Sequence, residues 1–193
     1  MSDKNNKILQ QFLNQINNCD VIVELGANVG IITKQLIKYN KPIHAFEPEP
    51  EAFNKLSLIK SEFLNIYNKA AWLDNGKSIL FRHNDWENSK SHTSSTLNKS
   101  KSNIDSRNTI ICETIDIADF IKSINGKVLI KMDVEGSEYE IINHLLYKKA
   151  FKNINMIFCE FHPNKIKRGY LKQFLLKFRL MISGKLHMVK NWF

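Results

Sequence analysis

Two clusters of side chains in this chain carry the residue types that chemistry needs. The first is Ile130-Lys-Met-Asp-Val-Glu-Gly-Ser-Glu138, in which Asp133 and Glu135 follow an apolar run directly. The second is Glu160-Phe-His162, which follows another. Acids at the ends of buried strands cost desolvation unless they are paired, solvated or liganded. Two uses suit them. One is proton transfer: Asp133, Glu135 or His162 accepts a proton from a substrate hydroxyl, with Glu160 or Asp133 orienting the imidazole. The other is a divalent cation such as Mg²⁺, held by Asp133, Glu160 and His162 as an oxygen/nitrogen ligand set and lowering the hydroxyl pKa.

A second pair of stretches points to a cofactor. Val21-Ile-Val-Glu-Leu-Gly-Ala-Asn-Val-Gly30 reads as a buried strand followed by a glycine-bearing turn. Ile43-His-Ala-Phe-Glu-Pro48 reads as the next strand, ending in a carboxylate. In open α/β sheets ligands bind beyond the carboxyl ends of the strands, at the switch point. A dinucleotide site wants G-x-G-x-x-G, but here Asn28 replaces the middle glycine and the third is missing. S-adenosylmethionine has no phosphate to cradle and suits this turn better. Gly26 permits the tight turn and Gly30 a close approach of the following helix to the ligand. Glu24 offers an acceptor to the amino-acid end. Glu47, about 20 residues beyond the turn, is placed to take both ribose hydroxyls. As a mere helix N-terminal acid, Glu47 is a poorer candidate than Glu49 or Glu51. The expected cofactor contacts are Glu24, Gly26, Ala27, Asn28, Gly30, Glu47, Pro48 and Asp133. Ala71 and Trp72 would form a flat wall for adenine, although Trp72 serves equally as core.

The elements that position these residues alternate. Apolar residues over 7–16 give a leading helix, Val21–Leu25 a strand, and residues 29–39 a helix. Ile43–Phe46 is a strand, and Pro50-Glu51 opens a helix. Leu64–Trp72 is one strand, and Asp74-Asn-Gly76 turns into Ser78–Arg82. Residues 84–108, rich in Ser, Asn and Lys, read as a long loop flanked by His83 and containing His92. Then come a helix over Asp116–Ile124, a strand over Val128–Met132, a helix over Ser137–Tyr147 and a strand over Met156–Phe161. A last helix carries Ile166 to Phe178, and Leu186–Val189 a last strand. The order predicts a mostly parallel sheet covered on both faces.

At 193 residues the chain fits one domain: a leading segment 1–19, a core over 20–163 and a basic end over 164–193. No apolar run approaches the roughly 18–20 residues of a membrane span, and the polar start lacks a signal-peptide core, so a cytoplasmic protein is expected. Cys19, Cys112 and Cys159 are odd in number and far apart, which supports neither a disulfide framework nor a zinc site. The net charge of +9 is uneven. Residues 1–160 hold 20 Lys/Arg against 19 Asp/Glu, whereas residues 161–193 hold eight Lys/Arg and no acid. Such a tail is either a solvated face or a surface for an anionic partner, such as a phosphorylated glycan, nucleic acid or membrane.

Taken together, ELGANVG, AFEPEPEAF, NKAAWLDNGK, ETIDIADFI, KMDVEGSEYEII and CEFHP resemble the FkbM family of methyltransferases over about residues 20–163. The resemblance implies a Rossmann-like class I fold, a seven-stranded sheet with one antiparallel strand. It also implies methyl transfer from S-adenosylmethionine to oxygen, commonly on a sugar or a glycosylated or polyketide product. By position it assigns Glu24, Gly26, Asn28, Gly30 and Glu47 to the cofactor, and Asp133 and Glu135 to the active-site floor. The loop 84–108 and the tail beyond His162 match nothing in that pattern. The rival readings are an RNA methyltransferase using the basic tail and a non-catalytic binding module. The sequence leans against both: no RNA-binding motif is visible, and a bare scaffold needs neither the Glu47 nor the Asp133 constellation. The missing glycines disfavour an oxidoreductase.

Overall fold

The computed structural model describes residues 3–86 and 94–192. In chain order the elements are α1 (Asp3–Ile16), β1 (Val21–Leu25), α2 (Thr33–Leu36), β2 (Ile43–Phe46), α3 (Pro50–Leu56), β3 (Leu64–Tyr67) and β4 (Lys69–Trp72). There follow β5 (Gly76–His83), β6 (Ile104–Asp116), α4 (Ile117–Ser123), β7 (Val128–Met132), α5 (Glu138–Tyr147), β8 (Ile154–Cys159), α6 (Gly169–Ile182) and β9 (Val189–Asn191).

The main sheet runs β3-β2-β1-β7-β8-β9, and every pairing in it is parallel. Strands buried on both faces need near-continuous apolar runs, and β1 and β7 are buried at every position. Side chains alternate between the faces. Val21, Val23 and Leu25, with Val128, Ile130 and Met132, meet α4, α5 and α6. Ile22 and Leu129 turn the other way, onto Phe12 and Ile16 of α1 and Leu36 of α2. The chain winds outward from β1 through β2 to β3, then returns to β7 on the other side of β1. The switch point therefore lies between the carboxyl ends of β1 and β7.

Among the described residues this sheet has six strands and none is antiparallel, where seven with one antiparallel strand were expected. Two local causes account for it. The run 64–72 breaks at Asn68, whose side-chain amide donates to the Glu47 carbonyl at 2.9 Å and to Pro48 at 3.3 Å. Beyond that break β4 leaves the main sheet and pairs with β6, which pairs in turn with β5. At the other edge, α6 forms a crossover that brings β9 back parallel to β8, Ile157 opposite Val189.

The expected loop 84–108 is shorter than its composition suggests. Residues 104–108 already belong to β6, an alternating strand with one face in solvent, and Thr96 pairs with Phe81 as an isolated bridge. His92 lies outside the described residues. The helix expected over 29–39 is a single turn of α2 and a 3₁₀ turn at Ile37–Tyr39. All three cysteines are free and buried. No helix among the described residues is long and apolar enough to cross a membrane.

Candidate active site

Gly26 ends β1 at φ +76°, and a Cβ there would lie 1.9 Å from the carbonyl oxygen of Asp133. The Asp133 N–H in turn donates to the Leu25 carbonyl at 2.9 Å. The two strand ends thus touch through backbone, and only glycine permits the approach. Gly30 has a different duty. Its φ is +83° and its missing Cβ faces Ile59 and Leu56, so it lets the turn pack on α3, and it lines neither cavity described below. Gly30 was expected to let the following helix approach a ligand closely; the atoms its missing Cβ faces are side chains of Ile59 and Leu56.

Two cavities meet at Gly26 and Asp133. The larger, about 280 Å³, is lined by Glu24, Ala27, Asn28, Lys131, Glu135 and Trp192 among others. The smaller, about 50 Å³, lies between Glu47, Pro48, Ala70, Ala71, Leu80 and Leu97. Together they reach the lower end of the ~300–1,000 Å³ typical of small-molecule sites. Of the two residues expected to wall the adenine, Ala71 lines the smaller cavity and Trp72 does not. Trp72 packs against the main core instead, and Ala70, Leu80 and Leu97 supply the apolar wall. Trp192, from the far end of the chain, had no signal in the sequence.

Glu47 is buried and accepts two backbone N–H groups, Asn28 at 2.8 Å and Glu49 at 2.9 Å. Asn28 presents its N–H because it adopts a left-handed φ of 51°, with its own side chain bonded to the Val29 N–H at 2.7 Å. Burial pushes the Glu47 carboxyl up to about 7, against the lowering effect of those two bonds. Glu49 does not cap α3 through its side chain but grips Arg82 of β5 at 2.8 and 3.2 Å.

Glu24 and Lys131 face each other across β1 and β7. Glu24 Oε2 accepts from the Thr33 hydroxyl at 2.7 Å, while Oε1 lies 4.0 Å from Lys131 Nζ and makes no hydrogen bond. Burial raises its pKa and Lys131 opposes the rise. Removing one member of such a pair strands a buried charge, at about 3–5 kcal/mol. Lys131 was missed as a site residue, yet a lysine between Ile130 and Met132 in a buried strand demands an acid on the neighbouring strand.

Beyond β7 the chain folds back on itself, with Glu135 in the left-handed region at φ 54°. Both Asp133 and Glu135 line the larger cavity. Glu135 accepts from Lys101 Nζ at 2.9 Å and the Ser94 hydroxyl at 3.0 Å, with Lys165 at 3.4 Å. Burial would raise the Glu135 carboxyl, but the Lys101 ammonium, then His162 and Lys165, hold it at about 2. His162 is 3% exposed and lines neither cavity. Its Nδ1 lies 2.8 Å from Glu138 Oε1, so Glu138, and not Glu160 or Asp133, orients the ring. Its Nε2 makes no hydrogen bond and faces Glu135 at 3.4 Å, Glu160 at 3.6 Å and Asp133 at 4.0 Å. Burial lowers the His162 pKa, but Glu138, Glu135 and Asp133 outweigh it and the net shift is upward. Asp133 and Glu160 both face His162, but the group whose donor atoms all lie within 4.8 Å of one another takes Glu135 in place of Glu160. Glu138 was missed because it reads as the first residue of α5, and its partner lies 24 positions away.

A parallel sheet with a glycine turn at its switch point and an acid ending the next strand defines a Rossmann-like nucleotide-cofactor site of the class I methyltransferase kind. The sequence matches the Methyltransferase FkbM domain over residues 24–182. The chain belongs to the FkbM methyltransferase family. That match runs to the end of α6, so most of the basic C-terminal stretch lies within the family domain. A comparison with curated proteins gives no match. Among solved structures, the plantazolicin methyltransferase BpumL, in complex with a triazolic desmethylPZN analog and SAH, aligns at 11% identity with a TM-score of 0.36. The alignment covers 98% of this chain and 66% of that one.

Proposed function

We propose that the chain methylates a hydroxyl oxygen of a sugar or a glycosylated small molecule. The observation that carries this reading is Asp133. It lines both cavities, and its Oδ1 is buried without a hydrogen-bond partner. One acid thus reaches both the compartment suited to the cofactor's nucleoside and the compartment lined by Glu24 and Asn28.

The residues fit S-adenosylmethionine. Glu47 keeps unused lone pairs toward the smaller cavity for the ribose hydroxyls, and Ala70, Ala71, Leu80 and Leu97 offer adenine an apolar slot. Glu24, with its unpaired Oε1, and Asn28 sit where the cationic amino-acid half would lie. When bound, the cofactor supplies a methyl group activated on a sulfonium. The protein's part is mostly alignment of acceptor oxygen with that methyl, an effect worth up to ~7–11 kcal/mol. Asp133 takes the hydroxyl proton, adding on the order of 10²–10⁴-fold. His162, set behind Asp133 and Glu135 and fixed by Glu138, is a positioning residue for that wall.

A nucleic-acid acceptor fits less well. Three carboxylates, Glu24, Asp133 and Glu135, line the larger cavity against one lysine, Lys131, which disfavours a phosphate there. Part of the basic tail is spent internally: Lys165 on Glu135, Lys172 on Glu140 and Arg179 on Asn143. The test is transfer of a labelled methyl group from S-adenosylmethionine to a panel of saccharides and, separately, to short RNA. Label on a saccharide, lost in Asp133→Asn, supports the reading. Label on RNA that falls steeply with added salt would replace it.

A further inference from the structure

We infer that Asp133, Glu135 and His162 form a binding site for a divalent cation of the Mn²⁺ or Mg²⁺ class at the floor of the larger cavity. The inference rests on hydrogen-bond bookkeeping within the cluster. His162 is 96% buried by its side chain, which exposes only 4% of its surface. With Nδ1–H donated to the fully buried Glu138, the other ring nitrogen is left as an acceptor. That nitrogen faces Glu135 Oε2 and Asp133 Oδ1, which are acceptors as well. Neither His162 Nε2 nor Asp133 Oδ1 makes a hydrogen bond. Three acceptors turned toward one another in a buried place call for a positive centre between them.

A proton on Nε2 is the simplest such centre, but it leaves Asp133 Oδ1 without a partner. A cation satisfies both unpartnered atoms at once, beside a Glu135 oxygen that already accepts from Lys101. One donor atom from each residue lies within 4.8 Å of the others, with His162 Nε2 at 3.4 Å from Glu135 and 4.0 Å from Asp133. Metal–ligand bonds of ~2.0–2.2 Å place adjacent donors roughly 3–3.5 Å apart, so the His162–Glu135 spacing already fits and the other spacings must shorten. The Glu138–His162 contact is the arrangement that fixes tautomer and ring orientation in metal-ligating histidines. Charge favours it too: carboxylates of Asp133, Glu135, Glu138 and Glu160 surround the ring, against the ammoniums of Lys101, Lys131 and Lys165. Two carboxylates and one imidazole form an oxygen-rich set, suited to Mn²⁺ or Mg²⁺, and the nitrogen favours Mn²⁺ of the two.

Asp133 and Glu135 line the cavity, so remaining coordination positions would face an acceptor. A cation held there would lower the pKa of a nearby hydroxyl, so that Asp133 takes its proton more readily. That role rests on the methyl-transfer reading above; the existence of the site does not.

The test is titration of chelator-treated full chain with Mn²⁺, following the electron paramagnetic resonance signal of free aquated Mn²⁺. S-adenosylhomocysteine binding to the same samples is measured by calorimetry. The expected result is uptake of one Mn²⁺ per chain, weakened at least about ten-fold in Glu135→Gln and in His162→Gln and unchanged in Glu62→Gln. Both site variants should bind S-adenosylhomocysteine within about three-fold of wild type, which shows that they are folded. No Mn²⁺ uptake by wild-type chain that binds S-adenosylhomocysteine would overturn the cation site and leave the methyltransferase reading intact. Uptake that survives both substitutions would overturn it as well. Uptake with no S-adenosylhomocysteine binding would support the cation site while removing the role given to it.

Discussion

The two rims of the cleft hold their carboxylates by different means. On the β1–β2 rim, Glu47 is held by two backbone N–H groups, and burial lifts its carboxyl to about 7. On the β7–β8 rim, Glu135 is held by side-chain cations, chiefly Lys101, and its carboxyl is kept at about 2. Backbone dipoles orient a carboxylate without neutralising it, so Glu47 remains responsive to neutral hydroxyl donors. Fixed ammoniums keep Glu135 ionised, which suits a wall that must face positive charge. On the function proposed above, one rim serves recognition and the other handles a proton.

If that division is right, the largest effect comes from Asp133, which belongs to both rims. Asp133→Asn should lower turnover by about 10²–10⁴-fold while S-adenosylhomocysteine affinity changes by only a few-fold. Unchanged turnover would remove Asp133 from the reaction. The two rims are joined at Gly26, where a Cβ would meet the Asp133 carbonyl at 1.9 Å. Gly26→Ala should cost at least about 3 kcal/mol in urea denaturation, from strain and clash with backbone. Gly30→Ala meets only the ends of Ile59 and Leu56 side chains and should cost less, by about half.

Glu47 gives a pH signature. Ribose hydroxyls donate best to the ionised form, so cofactor affinity should climb as pH rises through about 7 and flatten above it. Glu47→Gln should bind about ten-fold more weakly, with no such dependence. The sign for stability is opposite. The folded-state pKa lies above that of an unfolded glutamate, so the contribution is fully present below the unfolded value and is lost as pH rises through about 7. A stability profile flat across that range in wild type, or still sloped in Glu47→Gln, would contradict the backbone-held account. The smallest effect is expected far from both rims: Lys172→Ala breaks a half-exposed pair with Glu140 and should change stability by at most ~0.5 kcal/mol.

The same contrast governs what could be read from the sequence. β1, β2 and β7 fall where continuous β-branched and aliphatic runs place them, because a central parallel strand is buried on both faces. Glu24, Gly26, Asn28 and Glu47 were legible for a related reason: they sit at strand ends within one local unit. The β7–β8 rim is assembled from distant segments. Ser94, Lys101, Glu138 and Lys165 meet around Glu135 and His162 only through tertiary packing, which no local pattern encodes. β6 was hidden by its exposed face, with Arg107 and Asn108 reading as loop residues. The break at Asn68 was hidden because its cause is a side chain bonding to carbonyls 20 and 21 residues earlier.

The central claim is that the crevice between β1 and β7 binds S-adenosylmethionine through Glu47. Calorimetric titration of S-adenosylhomocysteine into wild type and Glu47→Gln at several pH values tests it most directly. Saturable binding at one site per chain, stronger above pH ~7 and weakened without pH dependence in the variant, is the predicted result. Wild-type chain that is folded by circular dichroism yet binds nothing, or a variant that binds as wild type does, would contradict it.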